Sequence, residues 1–188
     1  MSSHHIVREK QEPALLIADL DGFDPENLGQ LLEWSPTIIV AEDAYDSADS
    51  LGIKIDFLVG RPDEYSLQPR TQLIPSEEHA IQSALDFLTR EKYPAVNIIT
   101  GKPVITDYLP YCDHINIVIL TIKQRIFMVR SGFSKWKTAG EDIEILGNAT
   151  ELVHTGLDQN SSHMFTTQSD GFYSLRFQES FIFVAENL

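Results

Sequence analysis

Pairs of acidic side chains follow several apolar runs in the first half of this chain, and carboxylates grouped in this way can hold a divalent cation. In an open α/β sheet the ligand crevice lies beyond the carboxyl ends of the strands, so these acids are expected to converge there. Like charges repel unless a cation lies between them, and magnesium carrying the phosphates of a nucleotide suits that position. The alternative is that each acid caps a helix or favours its dipole in the first turn. The pairs are Asp19 and Asp21, Glu42 and Asp43, Asp63 and Glu64, and Glu77 and Glu78.

The acidic composition limits the partners. The 188 residues include 28 Asp and Glu against 14 Lys and Arg, which gives a formal net charge of -14 at pH 7. This charge repels phosphate backbones and anionic lipid headgroups, and no basic run offsets it locally. We therefore expect neither a nucleic acid nor a membrane as partner. A nucleotide is expected to arrive with a divalent cation that neutralises part of both charges.

The cysteine content and the amino-terminal segment predict a cytoplasmic protein. Cys112 is the single cysteine and cannot form an internal disulfide, and the six histidines have no spacing typical of a zinc site. The segment 1–13 is polar, without an apolar core followed by a cleavage site, and no stretch approaches 18 uninterrupted apolar residues. We therefore expect a protein that is neither exported nor embedded in a membrane.

Apolar runs alternate with helical patterns in the first half of the chain. The runs are apolar on both faces, as strands buried in a parallel sheet are. The longest helix is predicted over 76–92, where Ile81, Leu85 and Leu88 share one face and Ser76 would be the cap. The sequence therefore predicts an open α/β domain with a mostly parallel sheet. The predicted strands are 14–18, 37–40, 56–59, 72–74 and 95–100.

The pattern changes after about residue 114 to short apolar runs separated by turn residues. No helical period of useful length occurs there, and the spacing is typical of a small antiparallel β-sandwich or barrel. The fold class is therefore α/β, with an N-terminal domain over 1–114 and a C-terminal β-sandwich domain over 115–188. The predicted strands of the second half are 115–122, 126–130, 143–146, 152–155, 173–177 and 181–185.

The order and spacing of these pieces resemble the thiamine pyrophosphokinase family along nearly the whole chain. That family has a Gly-Ile-x-Pro-Asp turn, a Gly-Asp-x-Asp-Ser motif and a Lys-x-Thr-Asp segment that opens a helix. The resemblance implies an enzyme that uses ATP and magnesium to transfer diphosphate to thiamine. It also implies an α/β domain followed by a β-sandwich, and a homodimer. The matching segments are Gly52-Ile53-Lys54-Ile55-Asp56, Gly60-Arg61-Pro62-Asp63-Glu64, Glu77-Glu78-His79-Ala80, Thr155-Gly156-Leu157 and Gly171-Phe172-Tyr173-Ser174.

The resemblance implies roles for residues of the first half, which would be the nucleotide-binding domain. Asp63 and Glu42 would be catalytic and, together with Glu77, would hold magnesium. Glu77, Arg61 and Lys102 would contact the phosphates of ATP, with Lys102 acting as a point charge.

The second half would be the thiamine-binding domain. Ser174, Tyr173 and Trp136 would position thiamine or a related small molecule, and the aromatic rings would stack on its cationic ring. Trp136 lies in the polar run Ser134-Lys135-Trp136-Lys137, which makes it the least core-like aromatic residue of this half.

Some positions depart from the family pattern and leave two interpretations open. Arg61 stands where a magnesium carboxylate is expected, Ala80 replaces the Asp of Lys-x-Thr-Asp, and 102–110 lacks the family's Gly-Gly-Arg-x-Asp-His segment. Removing one preorganised electrostatic contact typically lowers the rate of catalysis by a factor of about 10² to 10³. The chain is therefore an active transferase in which Arg61 replaces part of the metal's charge, or a catalytically silent ligand-binding protein of the same fold.

The first strand offers a different class of function. The run Asp19-Leu20-Asp21-Gly22 resembles the first motif of haloacid dehalogenase-like phosphatases, in which the first Asp is the nucleophile and the second donates a proton. Phe23 stands where that family usually has Thr, and its later motifs cannot be placed in a β-rich second half. In the kinase-like interpretation the two acids simply follow the first strand near the crevice.

Overall fold

The computed structural model describes residues 12–61, 67–77 and 79–188. The chain divides into two compact units, with the boundary between Ile117 and Val118. The first unit mixes helices with parallel strands and the second consists of antiparallel strands, so the predicted mixed α/β class is confirmed.

The described strands of the first unit form a parallel sheet in the order β5-β1-β2-β3-β4. Short 3-10 turns occupy Glu42–Ala44, Ile105–Asp107 and Leu109–Tyr111. No helix in the described residues has the length and apolar character needed to cross a membrane. The elements are β1 (Ala14–Ile17), α1 (Pro25–Leu32), β2 (Ile38–Ala41), α2 (Tyr45–Ser50), β3 (Phe57–Gly60), β4 (Gln72–Pro75), α3 (Ala80–Arg90) and β5 (Ala95–Ile99).

Strand β1 lies where the strand order of this sheet reverses. All four of its residues are buried, because a parallel strand is covered on both faces. It pairs with β2 on one side and with β5 on the other, so the strand order reverses there. Open α/β sheets bind ligands beyond the carboxyl ends of their strands at such a switch point. The fold therefore places the binding crevice above the ends of β1 and β5.

Helix α3 begins at Ala80, four residues later than predicted, and Ser76 does not cap it. The backbone N–H of Ser76 donates to the carbonyl oxygen of Gly60 over 3.0 Å, which continues the pairing of β4 with β3. The chain is still extended at this point and cannot yet turn into a helix. The Ser76 hydroxyl instead accepts a hydrogen bond from Ser83 over 3.1 Å, and His79 is the cap residue without a side-chain hydrogen bond.

The second unit contains antiparallel strands in two groups. One group has the order β6-β7-β14-β9-β12-β11, and the other, called the small sheet below, has the order β10-β13-β8. Phe165, Tyr173 and Leu175 lie at the centre of its core and are at most 1% exposed. The strands are β6 (Asn116–Leu120), β7 (Gln124–Val129), β8 (Phe133–Lys137), β9 (Asp142–Leu146), β10 (Val153–Thr155), β11 (Leu157–Gln159), β12 (Met164–Thr167), β13 (Gly171–Arg176) and β14 (Ile182–Asn187).

Candidate functional site

A cavity of about 280 Å³ lies in the first unit at the switch point of the parallel sheet. Its floor is formed by Ala18, Ala41 and Thr100, which directly follow or end β1, β2 and β5. One wall is the beginning of α3, residues 79–82, and a second wall is the segment 102–108 that follows β5. Because the strand ends supply mostly small side chains, most of the polar side chains of the cavity come from these walls.

Charged side chains of both signs line this cavity. Lys102, the predicted phosphate-binding residue, lies in one wall, and His79 lies in the other. Asp43 and Asp107 add carboxylates. No role was predicted for His79, although it lies in the matching segment Glu77-Glu78-His79-Ala80, or for Asp107, which lies outside every matching segment. Their positions directly before α3 and shortly after β5 are the signal that would have found them.

Tyr108 forms the buried side of the 102–108 wall. Its side chain is 1% exposed, and burial together with the nearby charge of Asp107 raises the pKa of its phenol to about 12. Tyr108 is therefore neutral at physiological pH. It can donate a hydrogen bond, and it does not take up a proton from a ligand.

A smaller cavity of about 80 Å³ adjoins the first and shares Ala41, Asp43 and Ala80 with it. Glu42 and Glu77, two of the predicted magnesium ligands, line this smaller cavity. The structure thus brings both glutamates to the edge of the sheet where the sequence placed them. The third predicted ligand, Asp63, lies outside the described residues.

Arg61 links the ends of three strands beside this smaller cavity. Its backbone N–H donates to Glu42 Oε2 over 3.1 Å, and its Nη2 lies 3.5 Å from the carbonyl oxygen of Glu77. Among the residues that the structure describes, no group of three or more His, Cys, Asp or Glu is placed to hold a metal ion. Glu42 and Glu77 therefore do not complete the predicted magnesium site from the described residues alone.

The two acids of the phosphatase-like motif lie just after β1. Asp19 Oδ1 accepts the backbone N–H of Asp21 over 2.9 Å, which closes a local turn. The other oxygen of Asp19 faces Gly101, where a Cβ would approach it to 2.6 Å. One carboxylate oxygen of Asp19 is thus engaged in a turn, and Gly101 provides the space for the other.

Trp136 and Phe172 lie opposite each other on the exposed face of the small sheet. They are paired across β8 and β13 and are 52% and 70% exposed. The next pair on the same face of these strands is Ser134 and Ser174, and the Ser174 hydroxyl lies 2.7 Å from that of Thr155. This face therefore combines two open aromatic rings with a row of hydroxyl groups.

Tyr173 does not share that face. Successive residues of a strand point to opposite sides, so Tyr173 points into the core and is 1% exposed. Its hydroxyl donates to Glu186 Oε1 over 2.9 Å. The structure thus places the Tyr173 side chain in the core of the second unit, away from the exposed face that carries Trp136 and Ser174.

Comparisons with known proteins agree with the predicted resemblance at the level of the fold. No protein-family model matches the sequence, and a search of curated proteins finds no match. Three structures superpose on nearly the whole chain at low sequence identity. A thiamin pyrophosphokinase from Geobacillus thermodenitrificans has a TM-score of 0.71 at 13% identity and covers 94% of this chain and 98% of its own.

Two further thiamin pyrophosphokinase structures give the same result. The one from Bacillus subtilis has a TM-score of 0.66 at 15% identity and covers 94% of this chain and 99% of its own. The one from Candida albicans has a TM-score of 0.67 at 12% identity and covers 95% of this chain and 90% of its own. This chain therefore has the fold of the thiamin pyrophosphokinase structures.

Proposed function

We propose that this protein binds ATP and thiamine and transfers diphosphate from the first to the second, as a thiamin pyrophosphokinase does. The observation that carries the proposal is the cavity at the switch point of a chain with this fold. Open α/β sheets bind their ligands in this position, and a concave site with a few convergent polar groups is the usual form of a small-molecule site.

The walls of the cavity support the binding of phosphate groups. Lys102 supplies a positive charge from one wall. The other wall is the beginning of α3, where the first hydrogen bond of the helix runs from the N–H of Ser83 to the carbonyl oxygen of His79. The preceding N–H groups therefore have no partner within the helix and favour an anion in front of them.

In the proposed reaction the hydroxyl oxygen of thiamine forms a bond to the β-phosphorus of ATP. The bond from the β-phosphorus to the oxygen that bridges to the α-phosphorus breaks, and AMP leaves with that oxygen. The hydroxyl proton needs an acceptor, and Asp43, His79 and Asp107 all line the cavity. Positioning and charge neutralisation supply most of the acceleration in reactions of this kind.

We propose that magnesium enters as the complex with ATP, because a protein with a net charge of -14 otherwise repels the nucleotide. Glu42 and Glu77 remain proposed ligands together with Asp63. Arg61 would then supply part of the positive charge from the end of β3. The metal, if bound, would neutralise charge on the phosphates.

The second unit is proposed to contact thiamine through the exposed face of the small sheet. Trp136 and Phe172 offer flat rings for stacking on a cationic heterocycle, and Ser174 offers a hydroxyl group. The assignments of a nucleotide-binding domain to 1–114 and a thiamine-binding domain to 115–188 remain proposals. A homodimer and a cytoplasmic location are also proposed, the first from the resemblance and the second from the sequence.

A catalytically silent binding protein is the second candidate. The observation that favours it is the bond between Glu42 and the backbone of Arg61, which engages one oxygen of a proposed metal ligand. Ala80, which stands where the family has an Asp, also lines both cavities and offers no ligand atom from its side chain.

The test is the formation of AMP and thiamine diphosphate from thiamine and magnesium-ATP at high protein concentration, with a control lacking thiamine. AMP that forms only with thiamine would establish the transferase. Absence of turnover, combined with binding of magnesium-ATP in calorimetry, would establish the silent binding protein. Phosphate release from a generic phosphate ester would instead support the phosphatase that uses Asp19 and Asp21.

A further inference from the structure

The two walls of the cavity in the first unit belong to segments far apart in the sequence. One wall is the first turn of α3 and the other is the segment 102–108. The distance between the walls determines which ligand fits. A contact that joins the walls outside the cavity therefore influences the width of the cavity. Tyr111 makes such a contact.

The Tyr111 hydroxyl reaches α3 at two points. Its Oη lies 2.9 Å from Asp86 Oδ1 and 3.3 Å from the carbonyl oxygen of Gln82. Gln82 itself lines the cavity, and Asp86 lies one turn further along the helix. A hydrogen bond from a neutral hydroxyl to a carboxylate is among the stronger ones in proteins.

The backbone of Tyr111 also connects it to the second wall, the segment 102–108. Its N–H donates to the carbonyl oxygen of Tyr108 over 3.0 Å. The N–H of Tyr108 in turn donates to the carbonyl oxygen of Ile105 over 3.2 Å. These bonds form two consecutive 3-10 turns, Ile105–Asp107 and Leu109–Tyr111. A displacement of Tyr111 is therefore transmitted directly to Tyr108 and Asp107 in the cavity.

We propose that Tyr111 is a positioning residue that holds the 102–108 wall against α3 and so sets the width of the cavity. The consequence for nucleotide affinity rests on the proposed function, whereas the connection between the walls does not. Tyr111 does not line the cavity and acts only through Gln82, Asp86 and Tyr108.

The experiment compares Tyr111→Phe with Tyr93→Phe as a matched control. The Tyr93 hydroxyl lies 3.1 Å from Thr37 Oγ1, in the same unit but at the opposite ends of the strands. Hydrogen exchange of the protein without ligand measures how often the backbone of 102–112 opens. Calorimetry with magnesium-ATP measures the affinity for the nucleotide. Tyr111→Phe is expected to raise exchange in 102–112 about fivefold and to weaken magnesium-ATP binding about fivefold, while Tyr93→Phe changes neither.

A pair of substitutions at Asp86 completes the test. Asp86→Ala should reproduce the effect of Tyr111→Phe, and adding it to Tyr111→Phe should cause little further change. Asp86→Asn keeps an acceptor oxygen for the Tyr111 hydroxyl, so exchange in 102–112 should stay close to that of the wild-type protein. Unchanged exchange in 102–112 for Tyr111→Phe, or equal exchange for Asp86→Ala and Asp86→Asn, would overturn the proposal. If the wild-type protein does not bind magnesium-ATP, the proposed function fails, and the exchange result still decides the role of Tyr111.

Discussion

The backbone N–H of Arg61 donates to Glu42 Oε2 across 3.1 Å and so ties the end of β3 to the end of β2. Gly60 permits this approach, because a Cβ at that position would lie 2.4 Å from the same carboxylate oxygen. The resemblance predicted Glu42 as a catalytic residue and metal ligand, and its position after a strand also favoured a bound cation. The structure gives this side chain a second role, which is to fix where the chain after β3 begins.

Substitutions at Glu42 separate these two roles. Glu42→Gln keeps an acceptor oxygen for Arg61, so we expect the free energy of unfolding to change by less than about 0.5 kcal/mol. Glu42→Ala leaves the N–H of Arg61 without this partner and should lower the free energy of unfolding by about 1 to 2 kcal/mol. Urea unfolding measures both. Equal losses in the two variants would contradict the role in fixing the chain, whereas weaker magnesium-ATP binding by Glu42→Gln would support the role as ligand.

Lys102 should contribute to nucleotide affinity if the cavity binds phosphate. Lys102→Ala removes the positive charge of one wall and should weaken magnesium-ATP binding about tenfold in calorimetry, which is typical for one charge-assisted contact. Lys54→Ala is the matched control, because its side chain is 82% exposed, pairs with Asp56 and does not line the cavity. A similar loss for both lysines would indicate a general effect of charge and would remove Lys102 from the site.

The first unit could be predicted closely because its strands are buried on both faces. Short continuous apolar runs such as Leu15 to Ile17 are typical of strands that are covered on both faces, and β1, β2, β3 and β5 lie within a residue of their predicted bounds. The start of α3 was missed because Ser76 has the residue type of a cap. Its backbone N–H is already used by the neighbouring strand, and that bond depends on tertiary pairing.

Strand β8 could not be predicted from hydrophobic alternation because its polarity is reversed. Lys135 and Lys137 point inward to a buried carboxylate, while Trp136 between them is exposed. The same inversion explains why the sequence marks Trp136 as unlike a core residue. The cavity itself was not predictable in detail, since its walls meet only when α3 and the segment 102–108 come together.

Alkaline pH should destabilise the first unit through Tyr108 and Tyr111. Burial raises the pKa of both phenols to about 12, assisted by the charge of Asp107 for Tyr108 and by the hydrogen bond to Asp86 for Tyr111. In the unfolded chain the pKa is about 10, so the neutral phenols stabilise the fold fully below that pH. The free energy of unfolding should fall as the pH rises from about 10 to about 12.

Absorbance of the phenolate during alkaline titration checks this assignment. Asp86→Asn removes the charge next to Tyr111, so the pKa of the Tyr111 phenol should fall toward its ordinary value. The pKa of the Tyr108 phenol should stay unchanged. A free energy of unfolding that stays constant over this interval would contradict the prediction.

Glu186 is the centre of a buried ionic network in the second unit. Its carboxylate is 3% exposed and accepts the hydroxyl of Tyr173, while Lys135 binds its other oxygen and Lys137 lies 3.5 Å from it. Lys135 also lies over the ring of Phe127, 4.9 Å from its centre. The network links β8 and β13 of the small sheet to β14.

Removing the carboxylate should therefore be among the costliest single changes in this unit. Glu186→Ala leaves two lysines without their common partner, and we expect the free energy of unfolding to fall by about 3 to 5 kcal/mol, measured by urea unfolding. Glu141→Ala is the control, because Glu141 lies 3.8 Å from Lys137 and is partly exposed, so its loss should cost at most about 1 kcal/mol. Comparable losses for the two variants would mean that the lysines reach water or another acid when Glu186 is absent. A selective loss for Glu186→Ala would show that the inward lysines of β8 are held by this carboxylate, which in turn keeps Trp136 on the exposed face.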